Sequence, residues 1–139
     1  YYFYGLPDPL LRSTYSYSSG NLTRALLEYV FPSTEVFIDA AVEYNSSQPA
    51  NGMMYVFPDA FYTSQYNLSF NFGKRPVNTL KKVTTKLYSS GVLTDSLVTN
   101  YSNYKLSRDN YVLELFAAGD FQDGMGIIDG RTKFSYYCK

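Results

Sequence analysis

The sequence predicts an all-β fold: an antiparallel β-sandwich of about seven to nine short strands, with a small barrel as the alternative closure of the same strands. Three observations carry this. Several stretches alternate strictly between apolar and polar residues. Turn dipeptides recur about every ten residues. Tyr and Phe, which favour strands, number 16 and 10 in a chain of 139 residues. Hydrophobic residues make up 45% of the chain and charged ones 17%, too apolar and too weakly charged for disorder. The length suits one domain that needs no staples. We expect an extended aromatic arm over residues 1–20 and a single β-rich domain over 21–139.

The arm holds Tyr1, Tyr2, Phe3 and Tyr4, then Pro7 and Pro9, then a Ser/Tyr run to Gly20. Paired prolines oppose a helix, and the rings argue that part of the arm packs on the body or on a partner. One short helix is expected over 21–31, with a strand through Leu26 to Phe31 as the competing reading. Asn21 suits an N-cap, Ala25, Leu26, Leu27 and Val30 give an apolar face, Arg24 and Glu28 stand four apart, and Pro32 ends it. Glu35 to Tyr44 is a strand, with Val36, Ile38, Ala40, Val42 and Tyr44 on one face.

Asn51-Gly52 marks a turn and Met53 to Phe57 a short strand. Tyr66, Leu68, Phe70 and Phe72 alternate with Asn67, Ser69 and Asn71, the cleanest amphipathic strand in the chain. Val77 to Tyr88 is a polar strand whose Lys81, Lys82 and Lys86 would blunt a sheet edge. Val92 to Thr99 is apolar on both parities and stays unassigned, and Tyr101 to Asn110 reads as a polar loop. Tyr111 to Ala118 is apolar on both faces except Glu114, as a central strand should be. Asp123-Gly124 and Asp129-Gly130 are tight turns around a short strand, Met125 to Ile128. Arg131 to Cys138 closes the domain, with Thr132, Phe134 and Tyr136 inward.

Composition excludes several activities. Twelve basic residues balance twelve acidic ones, so the basic excess needed to neutralise phosphates is missing and no nucleic-acid partner is expected. There is no His, which removes the commonest general base and metal ligand. Without His, no serine or cysteine nucleophile has its usual base, so no enzyme activity is expected.

Glu35, Asp39 and Glu43 are one candidate acid cluster, but residues four apart on a strand stand about 13 Å apart, too far to act as a pair. Asp120, Asp123 and Asp129 lie in Gly-rich sequence, yet Gly119 and Gly130 fall where a calcium loop needs oxygen ligands. No metal and no cofactor are expected. Gly124-Met125-Gly126 is only a fragment of a phosphate-cradling loop. The Lys74-Arg75 and Lys81-Lys82 pairs read as solubilising charge.

The pattern Asn-x-Ser/Thr occurs four times, at Asn21, Asn45, Asn67 and Asn100, each a glycan acceptor in a secreted chain. Asn67 stands on the polar parity of its strand. Cys138 is the sole cysteine, so a disulfide would have to reach outside this chain segment. No run of about 18 apolar residues spans a membrane.

Clustered tyrosines in arm, loop and terminus offer rigid contact area for a partner. The candidates are Tyr1, Tyr2, Tyr4, Tyr15, Tyr17, Tyr101 and Tyr104. The expected function follows: a secreted or ectodomain glycoprotein module that binds a macromolecule, a protein at a cell or virion surface first of all. A small-barrel carrier of a lipid or other apolar ligand is the first alternative, and a structural subunit of an oligomer the second.

Overall fold

A computed structural model describes residues 11–30, 34–51, 76–120 and 129–136. These form seven strands: β1 (Leu11–Ser18), β2 (Asn21–Tyr29), β3 (Glu35–Pro49), β4 (Asn78–Ser89), β5 (Val92–Leu106), β6 (Val112–Gly119) and β7 (Gly130–Lys133). All pair antiparallel with their sequence neighbours, in the order β1-β2-β3-β4-β5-β6-β7, as one open sheet. The fold is all-β, and no helix occurs among the described residues. The strands expected at 53–57 and 125–128 and the alternating stretch 66–72 lie outside those residues.

The helix expected over 21–31 is instead β2. Ser19 and Gly20 both take positive φ, 49° and 80°, the geometry of a two-residue hairpin turn. That turn reverses the chain, and Ser18 pairs with Asn21. Ala25 and Leu27 then face inward opposite Ala40 and Ile38, while Arg24 and Leu26 face outward. The Arg24/Glu28 spacing serves no helix. Arg24 pairs across to Asp39 on β3, and Glu28 pairs back to Arg12 on β1. β1 itself lies within the stretch expected to be an arm.

Two further assignments change. Tyr101 to Leu106, expected as loop, continues β5. The polar loop shrinks to a turn in which Asn110 N–H donates to the Ser107 carbonyl at 3.0 Å, with Asn110 at φ 60°. β4 sits between β3 and β5 rather than at an edge, so its lysines guard no edge. The pairing shifts between Glu43 and Tyr44, which brings Leu80 into the core and leaves Lys81 exposed.

The inner face is built of cross-strand rows. Ala25, Ala40, Thr85 and Leu97 form one; Val42, Val83, Thr99 and Gly119 form the next. Leu27, Leu80 and Leu115 are exposed by no more than 1%. Each such side chain contributes about 1.5–3 kcal/mol through burial. A flat single sheet cannot cover them, and the sheet is rolled at one end. There the Asn51 amide N–H donates to the Asn110 carbonyl at 2.7 Å, and its side-chain Nδ2 donates to the Asp109 carbonyl at 2.7 Å. The end of β3 therefore touches the β5–β6 turn, two strands away in the sheet.

The β1–β2 turn joins the same end. Asn21 Oδ1 accepts from the Val77 amide at 2.9 Å, and its Nδ2 donates to Asn78 Oδ1 at 2.9 Å. Asn45 Nδ2 donates to Thr79 Oγ1 at 2.9 Å, and Thr79 Oγ1 donates to Gln48 Oε1 at 2.7 Å. Buried Asn21 and Thr79 thus have partners, as burial of polar groups requires. The opposite end is tied across β4 by the Ser90-Gly91 turn, whose Gly91 amide donates to Glu35 Oε1 at the start of β3 at 2.6 Å.

Candidate functional site

The tyrosines divide into a buried set and an exposed set, and the division cuts across the sequence clusters. Tyr101 is 4% exposed and belongs to the core with Val42, Leu80 and Leu115. Tyr104 packs against the same core, its hydroxyl donating to the Leu80 carbonyl at 2.8 Å. Both lie on β5, and the irregularity at Asn103, φ 51°, turns both rings to the inner side, Tyr101 fully buried and Tyr104 half-buried.

Tyr44 joins them from β3. Its buried hydroxyl and that of Tyr101 have no hydrogen-bond partner among the described residues. Burial raises the phenol pKa of all three, to about 12 for Tyr101.

Among the other predicted contact tyrosines, Tyr17 is exposed at the rolled end and Tyr15 is half-buried. Tyr1, Tyr2 and Tyr4 lie outside the described residues. Three further rings are exposed: Tyr29 and Tyr111, which sequence reasoning missed, and Tyr136, which lies after β7 ends at Lys133 and is not inward as expected. Two of them stack on each other. Tyr111 and Tyr136 meet edge to face with centroids 5.1 Å apart, and the Tyr136 hydroxyl donates to the Val112 carbonyl at 2.8 Å. Tyr29 meets Phe37 at 4.6 Å at the other end. Each partner is contributed by a different strand or tail, so only the fold brings the rings together.

The sequons divide similarly. Asn21 is 6% exposed, and its amide nitrogen, the atom a glycan would bond, is committed to Asn78. Asn45 is half-buried and committed to Thr79 and the Leu80 carbonyl. Asn100 is exposed in mid-strand on β5, flanked by Lys82 and Ala118, with Ser102 of its sequon also exposed. Asn67 and Cys138 lie outside the described residues.

The acidic residues of β3 each have a partner. Asp39 accepts a two-pronged bond from Arg24, Nε at 2.8 Å and Nη2 at 2.9 Å, and this pairing raises the Arg24 pKa. Glu43 faces Lys81 and Lys82 at 3.6 and 3.9 Å. Glu35 Oε1 accepts from the Gly91 amide at 2.6 Å. Glu114, the lone charge in an apolar run, stands between Lys105 at 3.1 Å and Arg131 at 3.4 Å. The Lys105 hydrogen bond, with Arg131 and Lys133 nearby, lowers its pKa against the opposing effect of burial.

Asp120 Oδ2 accepts from the Val98 amide at 3.2 Å. Among the described residues no three His, Cys, Asp or Glu side chains stand together to hold a metal, and no helix is long and apolar enough to cross a membrane. No family model matches the sequence, and no curated protein or solved structure matches it either.

Proposed function

We propose that this chain is an extracellular, glycosylated β-module that binds another macromolecule, a protein at a cell or virion surface, through tyrosines at the rolled end of its sheet. The observation that carries the reading is the Tyr111–Tyr136 pair. Both rings are more than 40% exposed, yet they are fixed by mutual packing and, for Tyr136, by a hydrogen bond to β6. Aromatic area held rigid in solvent loses little entropy when a partner covers it. Tyr17 extends the exposed aromatic surface of this end. Asn100 is the glycan acceptor of choice, on the outer face and away from the rolled end.

The finer architecture belongs to the same proposal. Contact between the end of β3 and the β5–β6 turn supports a sheet that folds over itself, as in a sandwich or partial barrel.

The test has two arms. Intact mass before and after glycan removal, with peptide mapping, is expected to place a glycan on Asn100 and none on Asn21 or Asn45. A native protein without glycan would remove the extracellular assignment. In the second arm, Tyr111→Ser with Tyr136→Ser is screened beside the parent against an extracellular protein array. Loss of the parent's signals is expected; unchanged signals would remove the tyrosine surface.

A further inference from the structure

The end of the sheet opposite the tyrosine surface carries a groove of about 440 Å³, between the start of β3 and the β4–β5 turn. That size is within the range of sites that take a small ligand or one large side chain. Leu26, Val36 and the ring of Tyr88 supply its apolar lining. Three charged residues line it: Arg24, Asp39 and Glu35. Arg24 and Asp39 neutralise each other through their two-pronged bond. Lys86 stands opposite Asp39 in the register but does not line the groove. Among the described residues Glu35 is therefore the uncompensated charge of the groove: one oxygen accepts from the Gly91 amide, and the other is left to accept. Beyond the lip, Val92 and Leu93 are exposed at 65% and 49%.

We infer that this groove receives a Lys or Arg side chain from a partner protein, its cationic head on Glu35 and its stem along Leu26, Val36 and Tyr88, with apolar neighbours of that residue covering Val92 and Leu93. The charge balance selects a cation. A long aliphatic stem with a charged head matches an apolar lining that ends in a carboxylate, and the Tyr88 ring favours a cation further. The exposed Val92 and Leu93 commit the occupant to a polypeptide, because a free small cation would leave them in water. This rests on the proposed protein-binding role, but it uses the other end of the sheet.

Backbone amide NMR titration tests it, with N-acetyl-arginine amide, its neutral counterpart N-acetyl-norleucine amide, and the peptide acetyl-Leu-Arg-Val-amide. The arginine probe is expected to give saturable shifts at Gly91, Val36 and Tyr88. The norleucine probe, and Glu35→Gln with the arginine probe, should each bind about fivefold more weakly. Glu35→Gln keeps an oxygen for the Gly91 amide, so the turn is retained, which its unchanged amide spectrum elsewhere checks.

The tripeptide should bind more tightly than the single residue and shift Val92 and Leu93 as well. Shifts absent from the groove, or indifferent to Glu35→Gln, would overturn the site. A tripeptide no tighter than N-acetyl-arginine amide would overturn the polypeptide occupant. These readouts do not involve Tyr111 or Tyr136, so failure here is distinct from failure of the tyrosine surface.

Discussion

Two turns of identical sequence sit at opposite ends of the sheet. Ser19-Gly20 has φ values of 49° and 80°, and Ser90-Gly91 has 51° and 73°. Their backbones solve the same problem, reversing a strand within two residues. Their surroundings differ. A Cβ on Gly20 would lie 3.2 Å from a methyl of Val77, whereas one on Gly91 would meet nothing within 4 Å. The residue that follows each turn inverts the usual rule of polarity. Asn21 is buried and Val92 is the exposed one, at 6% and 65%. Burial at these turns follows from whether every polar atom finds a partner, not from how apolar the side chain is.

The largest expected effect breaks that contrast directly. Asn21→Ala should cost about 2–4 kcal/mol, because it strips partners from the Val77 amide and from Asn78 at a part-buried site. Val92→Asn at the matching position should change stability by no more than about 0.5 kcal/mol. Urea unfolding of both measures the gap, and equal costs would abolish the distinction between the ends.

Gly91→Ala should cost about 1 kcal/mol for its left-handed backbone alone. Gly20→Ala should cost more, since Val77 must also shift. Tyr101→Phe should stabilise the protein by about 1 kcal/mol, since it removes a buried hydroxyl without a partner among the described residues. A loss in thermal unfolding would show instead that the hydroxyl is satisfied.

The smallest effect is one of pH. The folded-state pKa of Glu114 is lowered, so its contribution is present above the unfolded value, near about 4.3. That contribution is lost as pH falls through the folded value. Glu114→Gln should flatten this part of the acid limb of the stability curve.

Much of the sheet was legible from alternation. β3 and β4 appear nearly where the period-two pattern puts them, and β6 begins one residue later than expected. β2 was hidden because Asn21 carries two meanings, a helix cap or the first residue after a hairpin turn, and a propensity argument cannot choose between them. Pairing with Ala40 and Ile38 decides it, and that is a tertiary fact.

The site was less legible for the same reason. Tyr101 and Tyr104 look like loop tyrosines because Ser102, Asn103 and Lys105 surround them with polar residues. A strand irregularity at Asn103 turns both rings into the core. The Tyr111–Tyr136 pair joins residues 25 positions apart, and no local pattern announces it. Alternation singled out Asn67 among the four sequons but could not rank the other three, and hydrogen bonding inside the fold distinguishes Asn21 from Asn100.

Because every described strand pairs only with its neighbours in sequence, a chain leaving the ribosome would find each strand's first mate already synthesised. Growth could then be vectorial, hairpin upon hairpin, with no early strand waiting for a late one. Only the β3–β4 pair must close a long excursion, from Pro49 to Asn78, and the entropy of such closure rises slowly, by about 0.6 kcal/mol per doubling of length. Neighbour-to-neighbour pairing shortens the sequence separation of the ladder contacts, which favours faster folding.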